Sequence, residues 1–166
     1  MEKIEYRKAT IEEAETVKIT KADKKDLKEI LELQYLAYQS EAALFGGKKI
    51  PPLTQTLEEV EGEYEQGIIL KMLGCDGKII GSVRAKEENG TVYVGKLMVN
   101  PEYQKKGYGT RLLLSIEKYF ESKRFELFTS TRSEGNIRMY QRLGYKTFDT
   151  KAVDLELIFV YLEKKL

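Results

Sequence analysis

The chain has 166 residues, enough for one domain around a single core, and its 42% hydrophobic and 33% charged residues are those of an ordinary folded protein, not a disordered or fibrous one. Its 28 lysines and arginines nearly cancel its 27 aspartates and glutamates, so no global field draws it to nucleic acid or an acidic membrane, and any anion must be gripped locally. The single cysteine, Cys75, excludes an intramolecular disulfide and thiolate-rich metal sites, and the absence of histidine removes Ser-His-Asp, Cys-His and histidine-ligated metal chemistry. No metal is expected. Catalysis here must use carboxylates, tyrosines, lysines, backbone amides or a cofactor. The opening MEKIEYRKAT has no apolar signal-peptide core, and no stretch approaches the roughly 18 apolar residues of a membrane span. A cytoplasmic protein with no membrane and no nucleic-acid partner is the expectation.

In chain order, RKATIEEAETV (residues 7–17) is weakly echoed by TKADKKDLKEI (residues 20–30), each reading as a short strand-like lead into a capped helix. Thr10 with Glu13 forms a capping-box pattern, but only the second copy continues into a long apolar-periodic helix. Residues 1–16 are therefore read as an N-terminal extension and 17–166 as the domain. From Asp23, the spacing of Leu27, Ile30, Leu31, Gln34, Ala37 and Tyr38 predicts a helix that runs on until Gly46-Gly47 and Pro51-Pro52 break it. A shorter helix is predicted over 57–66. Strands follow over 68–73 and 79–86, joined by the turn Cys75-Asp76-Gly77, and Asn89-Gly90 turns into a third strand over 91–99 that Asn100-Pro101 stops.

Gly109, Leu112, Leu113, Ile116 and Phe120 then give one buried face to a helix that starts after Gly107, and a strand over 125–130 completes a βαβ unit. A short helix over 137–142 is closed by Gly144, and strands over 145–148 and 155–162 end the chain. This order predicts a single-domain, three-layer α/β fold with a mixed, mainly antiparallel sheet of about seven strands flanked by helices.

The segment VNPEYQKKGYGTRLL sets a glycine-rich turn between a strand end and a helix start. Helix-terminal amides and the helix dipole favour an anion there, glycines allow close approach, and Lys105, Lys106 and Arg111 add positive charge. Two spaced glycines are equally compatible with a tight turn bearing solvated lysines. A P-loop would need lysine directly after Gly109, where Thr110 stands, and a dinucleotide fingerprint would need glycine where Leu112 stands.

The Gln-x-x-Gly-x-Gly pattern of Gln104, Gly107 and Gly109, followed downstream by Asn136, Ile137, Arg138, Met139, Tyr140 and then Leu143-Gly144-Tyr145, resembles the GCN5-related N-acetyltransferase (GNAT) family. The motif-level likeness covers residues 81–145. It implies acetyl-CoA or coenzyme A as cosubstrate, with the pantetheine arm entering between the strands over 91–99 and 125–130. The backbone of Met98 and Val99 would meet that arm, and amides of Gln104, Lys105, Lys106, Gly107, Tyr108, Gly109 and Thr110 would hold the pyrophosphate. Asn136 would bond the cofactor arm, an N–H near Met98 would act on the thioester carbonyl, and Tyr140 would protonate the leaving thiol. Direct transfer of acetyl to a primary amine, on a small molecule or a peptide, follows; family members are often dimers, so a homodimer is compatible.

The likeness also exposes a departure. The family often places a glutamate on the strand before the cradle, whereas this strand offers only Tyr93 and Lys96, which leaves the base unassigned. A module that binds acyl-CoA without turnover is the competing reading, and a partner-binding patch of Tyr35, Tyr38 and Phe45 is a third. Glu41, Glu58, Glu59, Glu61, Glu63 and Glu65 either line a cationic-amine site or form a solvated helix face. Cys75, in a turn, is a poor acyl carrier.

Overall fold

A computed structural model of the chain describes residues 17–166; the first echo segment, its Thr10–Glu13 capping pattern and the 1–16 extension lie outside the described residues. Seven strands form one sheet in the order β1-β2-β3-β4-β5-β7-β6: β1 Lys18–Lys21, β2 Ile68–Leu73, β3 Ile79–Glu88, β4 Thr91–Val99, β5 Arg124–Ser130, β6 Lys146–Ala152 and β7 Ile158–Lys165. Every neighbouring pair is antiparallel except β4 with β5, the pair joined through a helix. This is the mixed, mainly antiparallel α/β sheet that the sequence predicts.

Helices α1 Leu27–Ala37 and α4 Leu57–Gln66 cover one face, where Leu27, Ile30, Leu33, Val60, Ile69 and Met98 form a core. Helices α5 Tyr108–Glu117 and α6 Glu134–Arg142 accompany the other, around Leu112, Leu113, Ile116, Phe125, Tyr140, Tyr145 and Leu162. The apolar face of α5 reaches the sheet because Gly81 lacks a side chain: a Cβ there would stand 2.9 Å from Leu112 Cδ1. Between α1 and α4 lie two short elements, α2 Gln39–Ala43 and α3 Pro51–Thr54.

The predicted helix beginning near Asp23 is a 3-10 turn over Lys24–Asp26 followed by α1, and it ends at Tyr38 instead of running to Gly46. Ser40 Oγ donates to the Ala37 carbonyl at this break, a side-chain bond that competes with regular helix, and α2 restarts just beyond. Pro51-Pro52, read as a breaker, instead opens α3, since proline is tolerated where the first amides of a helix have no partner anyway.

Two irregularities position the site. Between the pairs Arg84↔Gly95 and Ser82↔Met98, β3 spends one residue and β4 two, so β4 carries a bulge, with Lys96 in the left-handed region at φ 49°. On its other side β4 pairs with β5 only over Thr91–Tyr93 and Arg124–Glu126, whereas β5 stays paired with β7 along its whole length. The sheet therefore splits, and the second half of β4 turns a bare backbone edge into the gap.

Candidate active site

A cleft of about 770 Å³ opens at the split, lined by Leu97, Met98 and Val99 of β4, the turn from Tyr103 to Thr110, the α2 arm and the first turns of α6. Register decides which amides of β4 face it. The Asn100 amide donates to the Ile80 carbonyl over 2.7 Å, and two residues back Met98 stands opposite Ser82, so Met98 belongs to the set whose N–H and C=O point at β3. The alternation turns the main-chain groups of Leu97 and Val99 into the gap. Gln104 agrees with this, its Nε2 donating to the Val99 carbonyl from outside the sheet. The N–H that the sequence reading assigned near Met98 is thus supplied by its neighbours, because a strand directs alternate amides to opposite sides.

Beyond β4, Asn100 Oδ1 accepts from the Glu102 amide and starts a 3-10 turn over Pro101–Tyr103. Lys105 (φ 64°) and Gly107 (φ 78°) both lie in the left-handed region and reverse the chain into α5. Arg111 makes the first helical bond, its amide donating to Gly107 O, so Tyr108, Gly109 and Thr110 have no intrahelical acceptor for their N–H groups. These donors and the positive end of the helix face the cleft, and a Cβ at Gly107 would meet nothing within 4 Å, which leaves an open, positively polarised concavity suited to a pyrophosphate. Gly109 does something else: a Cβ there would stand 3.4 Å from Met139 Sδ, so its bareness lets α6 close on α5.

Of the residues singled out in the sequence, Met98, Val99, Gln104, Lys105, Gly107, Tyr108, Gly109, Thr110 and Asn136 line this one cleft. Lys106 does not; its Nζ stacks 5.7 Å from the centre of the Tyr103 ring. Tyr140, one turn along α6 from Asn136, is buried behind the wall with its ring 6.2 Å from that of Tyr145. Its hydroxyl has no hydrogen-bond partner among the described residues, and Arg84 Nε is the only fully enclosed orphan polar side-chain atom there, so the phenol keeps an open side. Burial first, and the charge of Glu41 second, push that phenol well above the ordinary tyrosine value.

Glu41 is the functional candidate that the sequence did not single out from its acidic neighbours. The α2 arm lays it across the cleft, where its Oε1 accepts from Asn136 Nδ2 at 3.3 Å and Ser133 Oγ at 3.4 Å. Burial holds its carboxyl above the usual range, with the Ser133 bond opposing. The arm is pinned by Arg132, which donates to the Leu44 carbonyl and stacks on Phe45, and by the Lys48–Glu156 ion pair. Phe45 is buried, and Tyr35 and Tyr38 are half-buried, with the Tyr35 hydroxyl donating to the Gln55 carbonyl, so these three do not form an exposed patch. Cys75 is exposed in the β2–β3 turn and does not line the cleft.

Behind the acceptor side of β4, Arg84 is buried and donates to Gln34, Gln55 and Glu63, the last at 2.6 Å. Lys96 lies near this pair, and burial lowers its ammonium pKa. Among the described residues no helix is long and apolar enough to cross a membrane.

A mixed sheet split at its parallel junction, with a helix N-terminus at the mouth of the split, defines an α/β protein with a bare strand edge and a positively polarised helix end in one cleft. Residues 27–145 match the acetyltransferase (GNAT) family, and the chain belongs to that family. Solved structures share the fold. The PaiA N-acetyltransferase from Thermoplasma acidophilum, in complex with coenzyme A, aligns with a TM-score of 0.76 at 21% identity, covering 90% of this chain and 99% of that one. The ribosomal-protein-S18-alanine N-acetyltransferase from Escherichia coli gives 0.73 at 15%, over 90% and 93%. A phosphinothricin acetyltransferase from Sinorhizobium meliloti, in complex with acetyl-CoA, gives 0.72 at 17%, over 91% and 89%. The curated relative UPF0157 protein YqkA of Bacillus subtilis (strain 168) is 25% identical over 133 residues, 79% of this chain; the chain spans only 38% of that relative's length.

Proposed function

We propose that the protein moves an acetyl group from acetyl-CoA directly to a primary amine. The observation that carries this is the split between β4 and β5, whose bare edge runs from the Leu97 and Val99 amides to the α5 N-terminus. A chain anchored by its pyrophosphate at residues 104–110 meets Val99 first and Leu97 deeper in the split. Val99 is therefore assigned to the pantetheine arm, and the Leu97 N–H to the oxygen of the thioester carbonyl as it becomes an oxyanion. Asn136 holds the remainder of the arm and the amides of Gln104 to Thr110 hold the pyrophosphate, with Lys105 adding charge at the rim.

The amine attacks the carbonyl carbon, the C–N bond forms, and the C–S bond breaks as the oxyanion collapses. Tyr140, whose phenol stays protonated at neutral pH, gives its proton to the sulfur and recovers one from the nitrogen of the intermediate. No covalent enzyme intermediate is required, since holding both reactants in one cleft supplies the advantage of proximity.

The test is release of free thiol from acetyl-CoA in the presence of polyamines, amino acids, aminoglycosides and peptide N-termini, run beside calorimetric titration with coenzyme A. Amine-dependent thiol release supports transfer. Tight binding with no turnover on any acceptor supports a non-catalytic acyl-CoA-binding module instead.

A further inference from the structure

We propose that Glu41, carried across the cleft by α2, is the general base that takes the proton from the acceptor ammonium. The inference rests on the acetyl-transfer reading and supplies the group that β4 lacks.

Two observations place it. Asn136 Nδ2 and Ser133 Oγ both donate to the same oxygen, Oε1, at 3.3 and 3.4 Å, which fixes the carboxylate's orientation on the cleft wall and commits only one of its oxygens. Glu41 also lines the same cleft as Leu97 and Asn136, and its charge acts on the phenols of Tyr38 and Tyr140, so it stands on the side of the cleft toward the proposed proton donor. Other carboxylates are less suited. Glu63 is bound to Arg84 at 2.6 Å, and Glu134, though it lines the cleft, has a 79% exposed side chain facing Arg138. The titratable and charged groups that line the cleft with Glu41 are Tyr38 just past α1, Tyr103, Lys105 and Tyr108 of the phosphate turn, Arg132, and Glu134, Arg138 and Arg142 of α6, with Tyr140 buried behind. None forms an ion pair with it among the described residues, and burial sets the direction of its shift.

The proton balance is simple. The ammonium gives one proton to Glu41 and becomes the nucleophile; after attack, the second proton on nitrogen replaces the one Tyr140 has given to sulfur. Amide and thiol leave neutral, and Glu41 releases its proton to solvent.

Methylamine and hydroxylamine test this, because they are nearly equal in size while the first is a cation at neutral pH and the second is neutral. Glu41→Gln should lower kcat/KM for methylamine by about 10²-fold more than for hydroxylamine, and should move the acid limb of the methylamine pH profile up to the ionisation of the ammonium itself. Coenzyme A affinity by calorimetry should stay within about threefold of wild type, and Glu41→Asp should recover part of the loss. Equal losses on both amines, or none, overturn the proposal, as does an acid limb that stays in place in Glu41→Gln and shifts in Lys96→Met. If the wild type is inert toward both amines, the same comparison is made between a cationic and a neutral acceptor from the panel, and a protein inert toward every acceptor removes acetyl transfer and the base with it.

Discussion

Gln104 folds back from the phosphate turn so that its Nε2 reaches the carbonyl of Val99 over 3.4 Å, tying the first residue of the cradle to the last residue of β4. The bond is long and exposed, so it adds little to stability. Its effect is local: it holds the end of the bare strand edge in line with the α5 N-terminus. Gln104→Ala should leave the melting temperature within about 1 °C and weaken coenzyme A binding about 3- to 10-fold, the range of one neutral hydrogen bond. Calorimetric titration decides it, and unchanged affinity would show that the Val99 carbonyl needs no such support.

The two cradle glycines should fail differently. Gly107 is left-handed at φ 78° with open space around it, so Gly107→Ala costs about 1–2 kcal/mol of backbone strain or rearranges the turn, and binding should fall with it. Gly109→Ala meets only the flexible Met139 at 3.4 Å and should be milder, whereas Gly109→Val should push α6 outward. Thermal shift with and without coenzyme A separates the two: the ligand-induced rise should shrink more in Gly107→Ala than in Gly109→Ala.

Glu63 compensates a buried guanidinium. Arg84 is 6% exposed at its side chain and Glu63 41%, so the pair lies between a surface bridge and a fully buried one. Glu63→Gln leaves the geometry and removes the charge, and it should cost about 1–2 kcal/mol, or roughly 3–6 °C in melting temperature for a chain of this size. Coenzyme A affinity should not follow, because neither Arg84 nor Glu63 lines the cleft.

Glu41 predicts a pH signature in stability. Its folded-state pKa lies above the unfolded one, so the contribution from protonating it is fully present below the unfolded value of about 4.3 and is lost as pH rises through the folded value. At neutral pH the ionised carboxylate is a cost that Glu41→Gln removes. The variant should melt higher than wild type near pH 7, by a margin that shrinks toward about pH 4. A variant less stable at every pH would mean that the Asn136 and Ser133 bonds outweigh desolvation.

The parts of the fold legible in the sequence are those whose signal is local. The helix over 57–66 and the strands over 68–73 and 91–99 appear with the predicted limits, because apolar periodicity and flanking turn residues define them within a few residues. Thr56 and Glu59 form a capping box at the start of α4, a local pattern that the helix prediction over 57–66 did not use. The glycine turn that opens α5 was legible for the same reason. The bulge at Lys96 was not, since nothing in GKLMV demands a left-handed lysine; the register of β3 and the departure from β5 impose it. Glu41 was one glutamate among six until the fold brought it to Asn136, 95 residues away. The strand expected over 145–148 runs instead over Lys146–Ala152, because pairing with β7 continues past a register shift between Thr147 and Asp149 that interrupts its pattern. Tyr145, placed in that strand, is a core anchor whose hydroxyl donates to Glu117.

Tyr140 packs in the core and is the proton donor of the proposed reaction, and the two roles separate by experiment. Its ring is buried against Tyr145, and Asn136 one turn earlier on α6 lines the cleft, so the phenol lies immediately behind the wall where a departing thiolate would stand. Burial, with the charge of Glu41, keeps it protonated far above neutral pH, which suits a donor to sulfur, since a thiol titrates near 8.5. Tyr140→Phe preserves the ring and its contacts and deletes a hydroxyl that has no protein partner among the described residues. No hydrogen bond is lost and none is orphaned, so the melting temperature should hold or rise slightly, and coenzyme A affinity should change less than about threefold. Turnover should fall about 10²-fold, in kcat more than in KM, because the proton is needed only as the C–S bond breaks. A tyrosine that only packs would leave kcat as well as the melting temperature intact. Full kcat in Tyr140→Phe, with chemistry shown to limit the rate, would leave protonation of the thiolate to water.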